Sequence, residues 1–237
     1  MSSQKLKIDI YSDGANKEEM LKRYKEGSVK GFTTNPTLMK KSGVTDYEAF
    51  ARSVLEVVKD LPISFEVFSD EFPEMKKQAL KIASWGKNVN VKIPITNTRG
   101  EPALGLISDL LAQSLKLNVT AIFTKDQLMG LKEVMKPKDD VIVSIFAGRI
   151  ADAGVDPVPA MALAVKMFKP LSKAKILWAS PREVLNVYQA EEVGCHIITV
   201  TDDILKKISQ RGKDLTEFSL DTVKMFYDDA KKAGFTL

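Results

Sequence analysis

Val89-Asn90-Val91-Lys92-Ile93-Pro94-Ile95-Thr96 is the stretch on which the reading of this chain turns. Val89, Val91, Ile93 and Ile95 alternate onto one face, which predicts a strand, and Asn90, Lys92, Pro94 and Thr96 take the other. The apolar run predicts that the strand is buried, and a lysine is almost never fully buried without a reason. Burial disfavours the ammonium form and can lower a lysine pKa by up to about 3–5 pH units. The neutral amine is a nucleophile that can form a Schiff base with a carbonyl compound. On this strand alone, the ordinary reading is a lysine at a strand end that snorkels its ammonium to water. The rest of the chain reverses that preference.

Outward from this strand, seven more short apolar runs recur, giving eight in all: residues 6–11, 31–34, 63–68, 89–95, 119–123, 141–147, 175–179 and 196–201. The intervals hold helical spacings, as in Tyr47, Phe50, Val54 and Val58, then Leu104, Ile107, Leu111 and Leu115, then Met161, Val165 and Phe168. Pro73, Pro102 and Pro181 stand near the expected helix starts, where proline is tolerated. Strand and helix in alternation imply parallel strands with right-handed crossovers. Eight such units in 237 residues fit a single (β/α)8 TIM barrel. A doubly wound open sheet is the runner-up, but Asp13-Gly14-Ala15 after the first run is no glycine-rich phosphate loop. No linker or low-complexity stretch divides the chain, so residues 1–237 read as one domain. Residues 203–210 supply the eighth barrel helix. Residues 214–234 are then a surplus C-terminal helix whose stripe of Leu220, Val223, Phe226 and Ala230 has a barrel end or a neighbouring subunit to cover, with Gly234 at its end.

Strands of a parallel barrel are buried on both faces and should be nearly continuously apolar. Here one parity repeatedly carries polar groups. Asp9, Tyr11 and Asp13 oppose Leu6, Ile8 and Ile10; Ser64 and Glu66 oppose Ile63, Phe65 and Val67. Asn118 and Thr120 oppose Val119, Ala121 and Phe123; Ser144 and Phe146 oppose Val143 and Ile145; Ser180 ends the seventh run. The apolar faces pack on helices, so the polar ones point into the barrel. Buried polar groups cost roughly 1–3 kcal/mol each unless paired. Several of them, converging at one end with a lysine and two carboxylates, suggest a site, and the C-terminal ends of the strands are where barrel chemistry is found. Each has an ordinary alternative. Asp13 could cap the next helix, Asn35 could be a turn residue before Pro36, and Arg149 and Arg182 could be surface ion-pair partners, Arg182 in a helix first turn beside Glu183.

Composition narrows the classes. Lys and Arg total 35 against 31 Asp and Glu, a net charge of +4 with no basic cluster, so no nucleic-acid footprint is read. One histidine and one cysteine leave no metal-ligand cluster and no plausible Ser-His-Asp or Cys-His arrangement. His196, at a strand start, reads as structural, and Cys195 as a small core residue suited to a reducing compartment. Residues 1–7 are polar, and no segment approaches the roughly 18 apolar residues of a membrane span. A cytoplasmic protein is expected.

The motifs themselves resemble those of the transaldolase family, particularly its short bacterial and archaeal-type members, along essentially the whole chain. Gly31-Phe32-Thr33-Thr34-Asn35-Pro36 resembles the family's GVTTNP motif and Val91-Lys92-Ile93-Pro94 its Schiff-base strand. Asn118-Val119-Thr120, Ser144-Ile145-Phe146-Ala147-Gly148-Arg149-Ile150 and Ser180-Pro181-Arg182 resemble three more, in order and on successive strands. Gly14, Ile145 and Pro181 depart from common family residues, and none removes a reacting group.

The resemblance implies a metal-free, cofactor-free class I transfer of a dihydroxyacetone unit. The donor would be sedoheptulose 7-phosphate or fructose 6-phosphate and the acceptor an aldose phosphate. Lys92 would form the Schiff base, Asp13 would take the proton, and Glu66 and Thr120 would hold a water that shuttles protons. Thr33, Asn35, Asn118, Ser144, Phe146 and Ser180 would line the donor site, and Arg149 and Arg182 would hold phosphate. It implies a homo-oligomer, a pentamer or decamer. The rivals are a fructose-6-phosphate aldolase that releases dihydroxyacetone, whose members tend to carry tyrosine at Phe146 and glutamine at Glu66, and a non-catalytic sugar-phosphate-binding barrel.

Overall fold

The computed structural model describes residues 6–236. Most of the polar start read at residues 1–7 therefore lies outside the described residues. Eight parallel strands form a closed barrel in chain order: β1 (Asp9–Asp13), β2 (Gly31–Thr33), β3 (Ile63–Glu66), β4 (Val89–Pro94), β5 (Leu117–Ile122), β6 (Val141–Ile145), β7 (Ala174–Trp178) and β8 (Ile197–Val200). β8 closes onto β1 from Asp9↔Ile197 to Ser12↔Val200. The fold is the expected (β/α)8 barrel.

The helices are α1 (Lys17–Glu26), α2 (Pro36–Lys41), α3 (Tyr47–Leu55), α4 (Phe72–Ala83), α5 (Leu104–Ala112), α6 (Lys125–Val134), α7 (Ala147–Asp152), α8 (Val158–Phe168), α9 (Leu185–Glu192), α10 (Asp202–Ile208) and α11 (Leu215–Lys232). Their starts follow from capping. Asn16, Asp46 and Asp214 accept from backbone N–H groups in the first turn, and Thr124 with Gln127 forms a capping box. Two crossovers hold two helices where one was read, α2–α3 after β2 and α7–α8 after β6. Pro181 does not open a helix: α9 begins at Leu185, leaving Arg182 in a loop rather than in a helix first turn. Among the described residues no helix is long and apolar enough to cross a membrane.

Val89, Val91, Ile93 and Ile95 face outward into the main core, packed with helix residues such as Leu110 and Leu131. A smaller interior cluster of Tyr11, Ile142, Leu177, Ala179 and Ile197 fills the middle of the barrel. Gly31 makes room for it, since a Cβ there would lie 2.6 Å from the Tyr11 ring. This apolar plug leaves the polar interior positions at the two ends. The surplus helix is present, but none of its residues is buried, and Leu220, Val223 and Phe226 are more than half exposed.

Candidate active site

At the C-terminal ends of the strands lies an inner cleft of ≈ 80 Å³, lined among others by Asp13, Thr33, Lys92, Asn118, Ser144 and Ser180. It adjoins a wider vestibule of ≈ 420 Å³ whose lining adds Glu66 and Arg182. Asp13, Asn35, Lys92, Thr120, Phe146 and Arg149 line both. All twelve residues singled out in the sequence thus meet in one place.

Lys92 is 6% exposed, so it does not snorkel. Its Nζ lies 3.1 Å from Glu66 Oε2 and donates to the Thr34 carbonyl at 3.1 Å. Register places the pair: Glu66 and Lys92 are partners across β3 and β4, so both side chains project at one height. Truncating either partner of such a shielded pair leaves an uncompensated charge.

Asp13 ends β1 and does not cap α1, a role taken by Asn16. Burial lifts its carboxyl above the ordinary 3.8; the Lys92 charge and the Thr33 hydroxyl pull it back only in part. That hydroxyl donates to Asp13 Oδ1 at 2.7 Å and lies in short contact with the Thr199 hydroxyl. Thr33, expected to touch substrate, is therefore engaged with a carboxylate. Thr199, on the inward parity of β8, was not singled out in the sequence, although parity alone could have found it.

A second relay crosses the cleft. Ser144 Oγ donates to Asn118 Oδ1 at 2.7 Å, and Asn118 Nδ2 donates to Ser64 Oγ at 3.0 Å. Thr120 Oγ1 is buried and bonds to no protein group, so its hydrogen-bonding capacity is directed at whatever occupies the cleft. Asn35 does cap α2, accepting from Leu38 N–H at 3.0 Å, and its amide NH2 is the half left for the cleft.

The wall between β6 and β7 is tightly built. A Cβ on Gly148 would lie 1.5 Å from the Ser180 carbonyl oxygen, so only glycine allows the first turn of α7 to meet the loop after β7. Ser180 itself has φ +60° and Ala121 φ +59°, left-handed backbone rare for such residues and typical of functional sites. The Arg149 guanidinium stands 5.3 Å from the centre of the Phe146 ring, which also lies 5.7 Å from the Phe123 ring and packs on the interior apolar cluster. Arg182, at the rim, donates through Nε to Asp152 Oδ1 at 3.0 Å with a second close contact from its terminal nitrogen. The ion-pair alternative raised for Arg182 is thus realised, though the residue still lines the vestibule. His196 sits away from this end, its Nδ1 accepting from Ile176 N–H at 3.0 Å. Burial lowers its pKa, and burial pushes the Cys195 thiol up to about 12.

Two carboxylates, a shielded lysine, an arginine without a carboxylate partner among the described residues, and several hydroxyl and amide groups thus share one cleft. Residues 10–237 match the family described as Transaldolase/Fructose-6-phosphate aldolase. A probable transaldolase of Dehalococcoides mccartyi is 35% identical over 203 residues, covering 85% of this chain and 90% of the relative. One from Thermoanaerobacter sp. is 32% identical over 231 residues, covering 97% of this chain and 100% of the relative. Among solved structures, 3-hexulose-6-phosphate synthase from Salmonella typhimurium superposes with a TM-score of 0.60 at 14% identity, over 86% of this chain and 97% of that one. That likeness is one of fold.

Proposed function

The chain belongs to the transaldolase/fructose-6-phosphate aldolase family, and from that premise we propose that it is a Schiff-base transaldolase. The observation that carries this is the arrangement around Lys92: an amine shielded from water, 3.1 Å from Glu66 and held by the Thr34 carbonyl, in a cleft shared with Asp13. Lys92 gives up a proton and attacks the C2 carbonyl of a ketose phosphate. Loss of water leaves a protonated imine, with Glu66 and Thr120 holding the water that carries protons in and out. Asp13 then takes the proton from the C4 hydroxyl. The C3–C4 bond breaks, its electron pair enters the protonated imine, and an aldose phosphate leaves. The three-carbon enamine attacks the aldehyde of an acceptor, and the same steps in reverse release the new ketose. The imine is its own electron sink, so the reaction needs no metal or organic cofactor.

Asn35, Asn118, Ser144 and Ser180 hold the hydroxyls of the retained dihydroxyacetone unit, with Thr33 acting through Asp13. Arg149 and Arg182 receive the phosphate. Phe146 favours transferase over aldolase, because its ring cannot hydrogen-bond the water that would protonate the enamine and free dihydroxyacetone. The donors are sedoheptulose 7-phosphate or fructose 6-phosphate, as in the pentose phosphate pathway, and the enzyme works in the cytoplasm as one domain over residues 1–237. The exposed stripe of Leu220, Val223 and Phe226 supports a ring-shaped homo-oligomer, a pentamer or decamer, in which α11 packs on a neighbour. A monomeric mass by light scattering at micromolar concentration would refute that assembly.

The deciding experiment follows products from fructose 6-phosphate with and without erythrose 4-phosphate. Fast transfer with the acceptor and little free dihydroxyacetone without it are expected, and Phe146→Tyr should raise release at the expense of transfer. Wild-type release as fast as transfer would assign the aldolase reaction instead.

A further inference from the structure

The ladder between β2 and β3 stops before β3 does. Phe32 N–H donates to the Pro62 carbonyl at 2.9 Å and Thr34 N–H to the Ser64 carbonyl at 3.1 Å. One further step of a parallel ladder would pair the Glu66 N–H with the Thr34 carbonyl, and the N–H of residue 36 with the Glu66 carbonyl. The chain allows neither. Residue 36 is Pro36, which has no N–H and opens α2. The Thr34 carbonyl is turned to Lys92 Nζ.

Both backbone groups of Glu66 go instead to a single side chain. Tyr47 Oη accepts from the Glu66 N–H at 2.8 Å and donates to the Glu66 carbonyl at 2.9 Å. Tyr47 is the first residue of α3, and its ring packs edge-on against Phe65 and Phe68 and tilted against Trp85. Burial raises the phenol above its usual range, so it keeps the proton that it donates.

We propose that Tyr47 is a positioning residue of the active site, a one-side-chain replacement for the missing edge of β2. It fixes the backbone from which Glu66 reaches Lys92, and it leaves the Thr34 carbonyl to orient the same amine. It touches no substrate and acts through the Glu66 backbone, with the Thr34 side chain also against its hydroxyl. The inference rests on the Schiff-base reading, in which imine formation is the step that Glu66 serves.

The test uses the full chain with Tyr47→Phe, which keeps the ring and removes the hydroxyl, and with Phe68→Leu, which thins the same aromatic cluster without touching the bonds to Glu66. Each protein is mixed with fructose 6-phosphate, quenched with borohydride after set times, and scored for the three-carbon adduct on Lys92, alongside KM and a thermal melt. Tyr47→Phe should form the adduct about 10-fold more slowly, the order expected when a reacting group is held a fraction of an ångström out of place. Its KM should move by less than about 2-fold. Phe68→Leu should trap at the wild-type rate even where its melting temperature falls as far. Adduct formation by Tyr47→Phe at the wild-type rate, or equal slowing in Phe68→Leu, overturns the proposal while the Schiff-base reading stands. A wild-type protein that forms no adduct on Lys92 overturns both.

Discussion

The two mouths of the barrel are both polar, and only one shields a lysine beside a carboxylate. The N-terminal mouth holds a cavity of ≈ 220 Å³ lined by Tyr11, Asn90, Lys116, Asp140 and Lys175, among others. Its lysines are exposed, and Lys116 Nζ donates to the Lys87 carbonyl at 3.0 Å. At the C-terminal mouth, Lys92 is shielded and faces a carboxylate. A charge pair at contact distance is worth about 1 kcal/mol in water and several times that where water is excluded. The same residue types therefore have different chemistry at the two ends. Backbone differs too. Ser114, near the N-terminal mouth, has a positive φ just after α5, an ordinary helix-end conformation, whereas Ala121 and Ser180 depart from strand geometry at the cleft itself.

The sharpest way to break this contrast is to remove one lysine from each end. Lys92→Ala should lower transfer from fructose 6-phosphate to erythrose 4-phosphate by about three orders of magnitude or more, as expected for a covalent nucleophile. Lys175→Ala should change it by less than about 2-fold. Similar losses in steady-state assays of the two variants would erase the distinction.

A smaller effect grades the C-terminal mouth from within. Arg149 lines both inner cleft and vestibule, whereas Arg182 lines only the vestibule and is already paired with Asp152. Arg149→Ala should raise KM for phosphorylated substrates by roughly 10–100-fold, the loss of about 1.5–3 kcal/mol carried by a charged hydrogen bond. Arg182→Ala should raise it less, because phosphate must compete there with a carboxylate. Neither should matter as much for unphosphorylated dihydroxyacetone as donor, and equal KM changes on both donor types would mark both arginines as structural.

The smallest effects concern Asp13. Asp13 has its pKa raised by burial, so catalysis that needs its ionised form should fail on the acid side above the ordinary 3.8. The Thr33 hydroxyl pulls that pKa down, so Thr33→Val should move the acid limb of the kcat/KM profile to higher pH. An unmoved or lowered limb would show that Thr33 does not tune Asp13. Stability should run the other way. A carboxyl whose folded pKa exceeds its unfolded value favours folding most below the unfolded value and loses that contribution as pH rises through the folded one. Asp13→Asn should therefore melt higher than wild type at neutral pH, with the gain vanishing as pH falls toward 3.8; a lower melting temperature at neutral pH would contradict this.

The barrel and most of the cleft were legible because strand periodicity is local. Alternation by two puts Lys92, Asn118 and Ser144 on the inward face whatever else the chain does. Burial then follows from closure, which the eight repeated units imply. What could not be read is what depends on pairing across distance. Thr33 reads as a substrate contact or an ordinary strand-end residue, and nothing local marks it as a partner of Asp13, twenty residues away in sequence. Tyr47 reads as one more apolar position of a helix, because nothing nearby says that Pro36 has left a carbonyl unpartnered. Pro181 and Glu183 imitate a helix start, but Ser180 is left-handed and the Asn186 side chain accepts from the Arg182 and Glu183 N–H groups, so the helix begins only at Leu185. The stripe on α11 announces an unpaired surface and does not say what meets it.

The contact of Gly148 with Ser180 also limits how this barrel can be recombined. The turn that carries Arg149 and the loop that carries Arg182 touch where no side chain fits, and one member of the contact is already in a left-handed conformation. A loop transplanted alone from another barrel brings a backbone path that the other has not been shaped to meet. The two segments are thus a single module, and chimeras that exchange residues 146–152 should keep their fold only when residues 179–184 travel with them.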